Sequence, residues 1–208
     1  MQHILHLSKD KKFRKILEHQ EPFVLERKRK VYLDLCKSII SQQLSTKVAK
    51  VIYTRFLNIY GKKAPTAKEI LQTPVEKFRS IGFSNAKAGY VHNVCNFFVE
   101  NNITDAMLHK MSNEEVMDLL TQIKGVGRWT TEMILMFTLG REDVFAVDDL
   151  GIQQSITKLY KLDSTDKKGM KEKMLEISSK WSPYRTYACR YLWGWKDNAP
   201  LDTKNKAK

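Results

Sequence analysis

The sequence predicts an all-α protein. Three observations carry that prediction. Apolar residues recur at helical spacing through most of the chain, cap and stop residues fall at the ends of those runs, and alternating strand patterns are scarce. Lys9–His19 reads as a short first helix. Val31–Leu44 puts Val31, Leu33, Leu35, Cys36, Ile39, Ile40 and Leu44 on a broad apolar face. Lys47–Tyr60 follows the capping pair Ser45-Thr46 and stops at Gly61. Thr66–Leu71 and Val75–Ser80 are short. Ser84 caps a long helix over Asn85–Glu100. Ser112 and Glu115 form a capping box for Asn113–Thr121. A helix from about Arg128 to Leu139 ends at Gly140, and Asp149–Tyr160, Lys167–Lys180 and Pro183–Trp195 complete the set, with Pro183 in the first turn of the last. Val144–Val147 is the one run that could be extended. The tail, Asp202–Lys208, is charged and reads as frayed.

The 208 residues suffice for one domain or two small lobes sharing a core, and the 42% hydrophobic content is that of a folded protein. Lys and Arg number 36 against 23 Asp and Glu, a formal net charge of +13. Such an excess favours a polyanionic partner, because neutralised phosphates release their counterions. A solvated lysine-rich surface would give the same number, so charge does not decide by itself. Cys36, Cys95 and Cys189 are far apart in apolar helical patterns. No CxxC or Cys/His spacing exists, so neither structural zinc nor an iron–sulfur cluster is expected, and the thiols read as buried and reduced. The N-terminal residues carry no signal-peptide pattern and no apolar run approaches a membrane span. The expected location is cytosolic and nucleoid-associated, or nuclear in a eukaryote.

The most informative stretch is Ile123-Lys124-Gly125-Val126-Gly127-Arg128-Trp129-Thr130, between two amphipathic helices. Glycines there permit positive φ and close approach of a foreign backbone. The following helix start offers N–H groups to an anion, and Val126 tucks inward. An ordinary αα-hairpin uses glycine in the same way. After one more helix comes Val147-Asp148-Asp149-Leu150-Gly151-Ile152, a pair of acids ending an apolar stretch.

Together these blocks resemble the helix-hairpin-helix DNA glycosylase superfamily, whose pattern is Leu/Ile-x-Gly-Val/Ile-Gly-x-x-Thr, a helix, then Val/Pro-Asp. The branch resembled is the alkylation-repair, DNA-3-methyladenine glycosylase II type. Ile39-Ile40-Ser41-Gln42-Gln43-Leu44-Ser45 is similar to its segment that enters the DNA. Ile81-Gly82-Phe83-Ser84-Asn85-Ala86-Lys87-Ala88 is similar to its Leu-Gly-x-x-x-x-Lys-Ala block. Trp181 to Ala188, continuing to Trp193, is similar to its C-terminal signature. The blocks fall in family order over about residues 31–195.

The resemblance implies a single all-α unit over residues 1–208, with two helical subdomains and a cleft holding the catalytic acid. One subdomain spans about 31–143 and contains the hairpin at 121–130; the other joins about 1–30 to 144–208. Some relatives carry an α+β domain before this core, and the thirty residues here leave no room for it. The implied reaction is removal of alkylated purines, of the 3-methyladenine and 7-methylguanine type, from double-stranded DNA by a monomer.

By the family register Asp149 is the catalytic carboxylate, and Asp148 a helix cap or a supporting group. Both acids would otherwise serve as caps of the next helix. Bifunctional relatives carry a lysine where this chain has Trp129, so the expectation is base removal by water without strand nicking. Trp129, Met133, Leu150 and Trp193 match pocket positions, where aromatic faces suit cationic bases; core packing would use the same residues. Gln43 matches the intercalating position and Gln42 one that reads a neighbouring base. Gly125, Gly127, Arg128 and Thr130 fall on the DNA-gripping turn. The family hairpin also holds a monovalent cation on main-chain carbonyls, here those of Thr121, Ile123 and Val126. No other cofactor is implied. Pro183, Arg185 and Tyr187 read as structural, with Arg185 in a local ion pair. The five histidines read as surface or capping residues. The competing readings are a glycosylase for deaminated, oxidised or mismatched bases and a non-catalytic DNA-binding hairpin module; an enzyme for a non-nucleic substrate is disfavoured by the charge.

Overall fold

The structure is a computed structural model that describes residues 1–198 apart from Lys62 and Ser164. The tail expected to fray, Asp202–Lys208, lies outside the described residues. Among them there is no strand. The helices are α1 (Gln2–Leu7), α2 (Lys11–Leu17), α3 (Val31–Ser41), α4 (Thr46–Asn58), α5 (Ala67–Leu71), α6 (Val75–Ser80), α7 (Asn85–Glu100), α8 (Asp105–Lys110), α9 (Asn113–Leu120), α10 (Arg128–Phe137), α11 (Leu150–Tyr160), α12 (Lys167–Ser179) and α13 (Arg185–Asn198). No described helix is long and apolar enough to cross a membrane.

The chain forms two compact units, Met1–Leu25 with Arg141–Lys208, and Glu26–Gly140. The division falls a few residues from the boundaries expected near 31 and 143. Gly140 explains the second boundary. It turns the chain at φ +63 just after α10, where a side chain would strike the Glu26 carbonyl at 2.9 Å.

In the Glu26–Gly140 unit, α7 is the central helix and packs on α3, α5 and α6. Its buried face, Ala88, Val91, Val94, Cys95 and Phe98, meets the apolar face predicted for α3. Phe56, Phe78 and Phe83 form an aromatic cluster, with ring centroids 5.3 to 6.0 Å apart. The start of α3 is capped from a distance. Lys30 stands in the left-handed region at φ +66 and supplies no cap, and the Asp105 carboxylate accepts from the Lys30 and Val31 N–H groups at 2.6 and 3.0 Å. That long-range cap, together with the short α8 that carries it, has no local pattern in the sequence.

In the other unit, α13 packs on α11 and α2, around a fully buried Trp181 whose ring lies 5.0 Å from Phe13. Helix α1 was not expected. It buries His3, whose imidazole stacks on Tyr187 at 3.9 Å, so one of the histidines read as surface groups is a core residue. Burial pushes its pKa down. The last helix begins at Arg185, not Pro183. Residues 181–183 form a turn closed by the Tyr184 N–H on the Trp181 carbonyl at 2.7 Å. All three cysteines are free and buried.

Phe78 is fully enclosed by this cluster. Replacing it with alanine should cost roughly 3–5 kcal/mol, read as a fall in the midpoint of urea unfolding followed by circular dichroism. An unchanged midpoint would show that the cluster does not hold this unit together.

Candidate active site

The approach to Asp149 is built from a buried irregular segment. Val144–Val147, the run that could have been a strand, is buried but unpaired as a ladder. A buried backbone must still satisfy its polar groups. The start of α13 does this. The Thr186 hydroxyl accepts from the Val144 N–H at 3.0 Å and donates to the Arg141 carbonyl at 2.6 Å, and the Thr186 N–H reaches the Glu142 carbonyl at 2.9 Å. Arg185 grips Asp143 with two bonds, Nε to Oδ1 at 2.6 Å and a terminal nitrogen to Oδ2 at 2.9 Å. Burial alone would raise the Asp143 carboxyl; Arg185 and Ser182 override it and hold the pKa below its ordinary value. Arg185 therefore serves the local ion pair expected of it.

Asp149 follows directly, half-buried at the N-cap of α11. Its Oδ1 accepts from the Ile152 N–H at 2.9 Å and from the Trp193 indole N–H at 2.8 Å. Asp148, expected as a cap or supporting group, is neither. It is exposed and pairs with Lys171 at 2.7 Å, because only Asp149 sits where its side chain can turn onto the first turn. Gly151 leaves room for this packing: a side chain there would stand 3.1 Å from both Asp149 Oδ1 and Trp193 Cδ1. Leu150 is 66% exposed beside the carboxylate. Trp193 is half-buried and acts on the carboxylate itself, a role the sequence did not suggest.

The hairpin residues lie in the Glu26–Gly140 unit. Gly125 adopts φ +104, and a side chain there would run into the Tyr90 ring at 2.4 Å. Gly127 differs. Its φ of −102 is ordinary, and a side chain would meet nothing within 4 Å, so its glycine leaves open space over the start of α10. Val126 and Ile123 are buried. Thr130 is also buried, at 3% exposure. Arg128 is exposed and pairs with Glu132 at 3.1 Å.

Trp129, 44% exposed, lines a concavity of about 480 Å³ with Met133 and Phe137 from α10, Asp34 and Ser41 from α3, and Gln42 at the C-cap of α3. Gln43 lies on its rim, exposed, in the left-handed region at φ +57. A non-glycine residue there costs about 1–2 kcal/mol, so its surroundings must enforce it. Lys87 does so: its ammonium donates to the Ile40 and Gln42 carbonyls at 2.8 and 2.6 Å, closing the end of α3. Burial pushes the Lys87 pKa down. In the sequence Lys87 is only part of a motif; its capping role needed the fold. The Gln42 amide donates to the Gly125 carbonyl at 3.4 Å and ties the end of α3 to the hairpin.

The two hairpin glycines should behave oppositely. Gly125→Ala should cost roughly 1–3 kcal/mol of stability through backbone strain and the Tyr90 clash, whereas Gly127→Ala should leave the thermal midpoint within a degree or two of wild type. Equal shifts for both would contradict this geometry.

The model of the HhH-GPD superfamily of base excision DNA repair proteins matches residues 36–180. DNA-3-methyladenine glycosylase 1 of Schizosaccharomyces pombe is 36% identical over 185 residues, covering 88% of this chain and 80% of that protein. A putative DNA-3-methyladenine glycosylase of Bacillus subtilis is 34% identical over 93% of this chain and 68% of its own length. The solved structure of a Schizosaccharomyces pombe 3-methyladenine DNA glycosylase in complex with abasic DNA superposes with a TM-score of 0.84 at 33% identity, covering 96% of this chain and 98% of that one. A family model spanning most of the chain and a relative 36% identical over most of both lengths show that this chain belongs to the HhH-GPD superfamily of base excision DNA repair proteins.

Proposed function

We propose that this chain is a monofunctional DNA glycosylase that removes alkylated purines of the 3-methyladenine and 7-methylguanine type from duplex DNA and leaves an abasic site. The observation that carries the reading is Asp149, a carboxylate fixed by Ile152 and Trp193 at the start of α11. Cutting the glycosidic bond sends its electron pair to the base and leaves positive charge on the sugar. A carboxylate fixed beforehand stabilises that charge without reorganising. Water then adds at the anomeric carbon and loses a proton, for which Asp149 is an acceptor. The base must leave the stack before it can be cut. Gln43, held on an exposed corner, is the residue to fill the gap. The open face of Gly127 and the N–H groups at the start of α10 are suited to a phosphate.

Trp129 supports hydrolysis without strand cleavage. Its indole stands at the family's lysine position and has no amine to attack the sugar. The three cysteines cannot supply the four thiolates of an iron–sulfur cluster, and the proposed chemistry requires no cofactor. A monovalent cation in the hairpin would be held by the Thr121, Ile123 and Val126 carbonyls. The Ile123 carbonyl already accepts the Val126 N–H at 2.9 Å, which leaves its second lone pair for the ion. The enzyme would act as a monomer on damaged DNA in the cytoplasm, or in the nucleus of a eukaryote.

The wild type should release free 3-methyladenine from methylated duplex DNA and leave unnicked abasic strands. Asp149→Asn should lower the rate at least about 100-fold while keeping its affinity for an abasic duplex. Unimpaired release by that variant would remove Asp149 from the chemistry. Borohydride treatment during turnover should trap no covalent enzyme–DNA adduct; a trapped adduct would overturn the hydrolytic route. Gly127→Ala, folded as wild type, should bind duplex DNA about tenfold more weakly.

A further inference from the structure

Asp34 is the one acidic residue lining the concavity that Trp129, Met133 and Phe137 form within the Glu26–Gly140 unit. It lies on the first turn of α3 and is half-buried. One oxygen, Oδ2, accepts the Thr138 hydroxyl at 2.9 Å, which fixes the carboxylate against the wall. Thr138 is itself buried, so that anchor is rigid. Among the described residues no cation stands within 4.0 Å of Asp34. Neither of the two lysines on the same wall forms an ion pair with it. Lys37, one turn away, holds its ammonium over the Tyr53 ring at 5.5 Å. The Lys28 backbone N–H donates to the Thr138 carbonyl at 2.7 Å. The charge is felt nearby: burial, with Asp34 adding to it, pushes the Tyr53 phenol up to about 12.

A fixed carboxylate without an ion-pair partner, lining an aromatic hollow, favours a cationic ring over a neutral purine. The indole and phenyl faces attract a cation as well. We infer that Asp34 is a specificity-determining residue that selects bases carrying a formal positive charge, by attracting the flipped N-alkylated purine into the concavity. The inference rests on the glycosylase reading above and goes further by naming the charge-reading group.

The chemistry of the step says which constant Asp34 governs. Before cleavage the positive charge is on the base. As the glycosidic bond breaks, its electron pair moves onto the base, which becomes neutral while the sugar becomes cationic. The attraction between Asp34 and the base is therefore largest in the bound ground state and fades toward the transition state. It captures cationic bases and does not speed the bond-breaking step, since only interactions that strengthen in the transition state do that.

The test is single-turnover excision of 7-methylguanine and of hypoxanthine, a neutral base, from otherwise identical duplexes. Wild type, Asp34→Asn and Asp34→Glu are compared, with abasic-duplex affinity measured alongside. Asparagine keeps the shape and the acceptor for Thr138 but removes the charge. It should raise the half-saturating enzyme concentration for 7-methylguanine about tenfold, the weight of one charge-assisted contact, with no fall in the saturating rate. Binding of the hypoxanthine duplex and of the abasic duplex should stay within about twofold of wild type. Asp34→Glu should recover part of the lost affinity for 7-methylguanine. Equal weakening of all three duplexes, or a fall in the saturating rate, would make Asp34 a structural residue and overturn the inference. Unchanged 7-methylguanine binding by the asparagine variant would overturn it too. If the wild type released no methylated base, the glycosylase reading itself would fall; that failure appears in the wild type, not in the variants.

Discussion

A carboxylate that is to stabilise a positive charge has to be in place before the charge forms, because moving dipoles during the reaction costs what they would gain. Asp149 meets that demand through two donors, the Ile152 N–H of its own helix and the Trp193 indole N–H of α13. Much of the surrounding unit serves this one arrangement. The buried Val144–Val147 segment sets the height at which the chain enters α11. Thr186 and Arg185, both at the start of α13, satisfy and pin that segment. Gly151 keeps the space in which Trp193 meets the carboxylate. The contacts from α13 reach residues some forty positions earlier, so the helix that carries Trp193 also fixes the acid.

The hairpin unit has its own version of the same economy. Its exposed features are held by buried or long-range polar contacts rather than by their own helices. Asp105 caps the first turn of α3, and Lys87 closes the last. Between these two anchors, α3 presents Asp34 and Ser41 to the concavity and delivers Gln43 in a strained left-handed conformation. Strain at an exposed polar residue persists only when its neighbours over-determine it, and here two carbonyls locked by one ammonium do so. Gln42, turned toward Gly125, links this corner to the hairpin.

The two paired glycines divide the work of the turn. Gly125 is required by the fold: its positive φ and the Tyr90 ring leave no room for a side chain. Gly127 is not required by the fold, since its conformation is ordinary and its surroundings are empty. An unneeded glycine over open space at a helix start is best understood by what approaches from outside. The same contrast holds for the acids: Asp148 is spent on a surface pair with Lys171, whereas Asp149 is the cap.

Most of the helices, their capping boxes and the buried face of α3 were legible in the sequence, because caps and 3.6-residue periodicity act over a single turn. The Gly125-Val126-Gly127 turn and the order of the motif blocks carried the family, and with it Asp149, without reference to tertiary contacts. The short helices α1 and α8 were not read in the sequence; the buried face of α1 is decided by distant partners such as Tyr187 for His3. Also not legible were the bond from Trp193 to Asp149, the closure of α3 by Lys87, the burial of Thr130 and the carboxylate of Asp34 in the concavity. Each depends on side chains far apart in sequence meeting in space, so the sequence by itself determined the helices, the hairpin turn and which residues were candidates for the chemistry, and the tertiary structure decided which of them are aimed, anchored or buried.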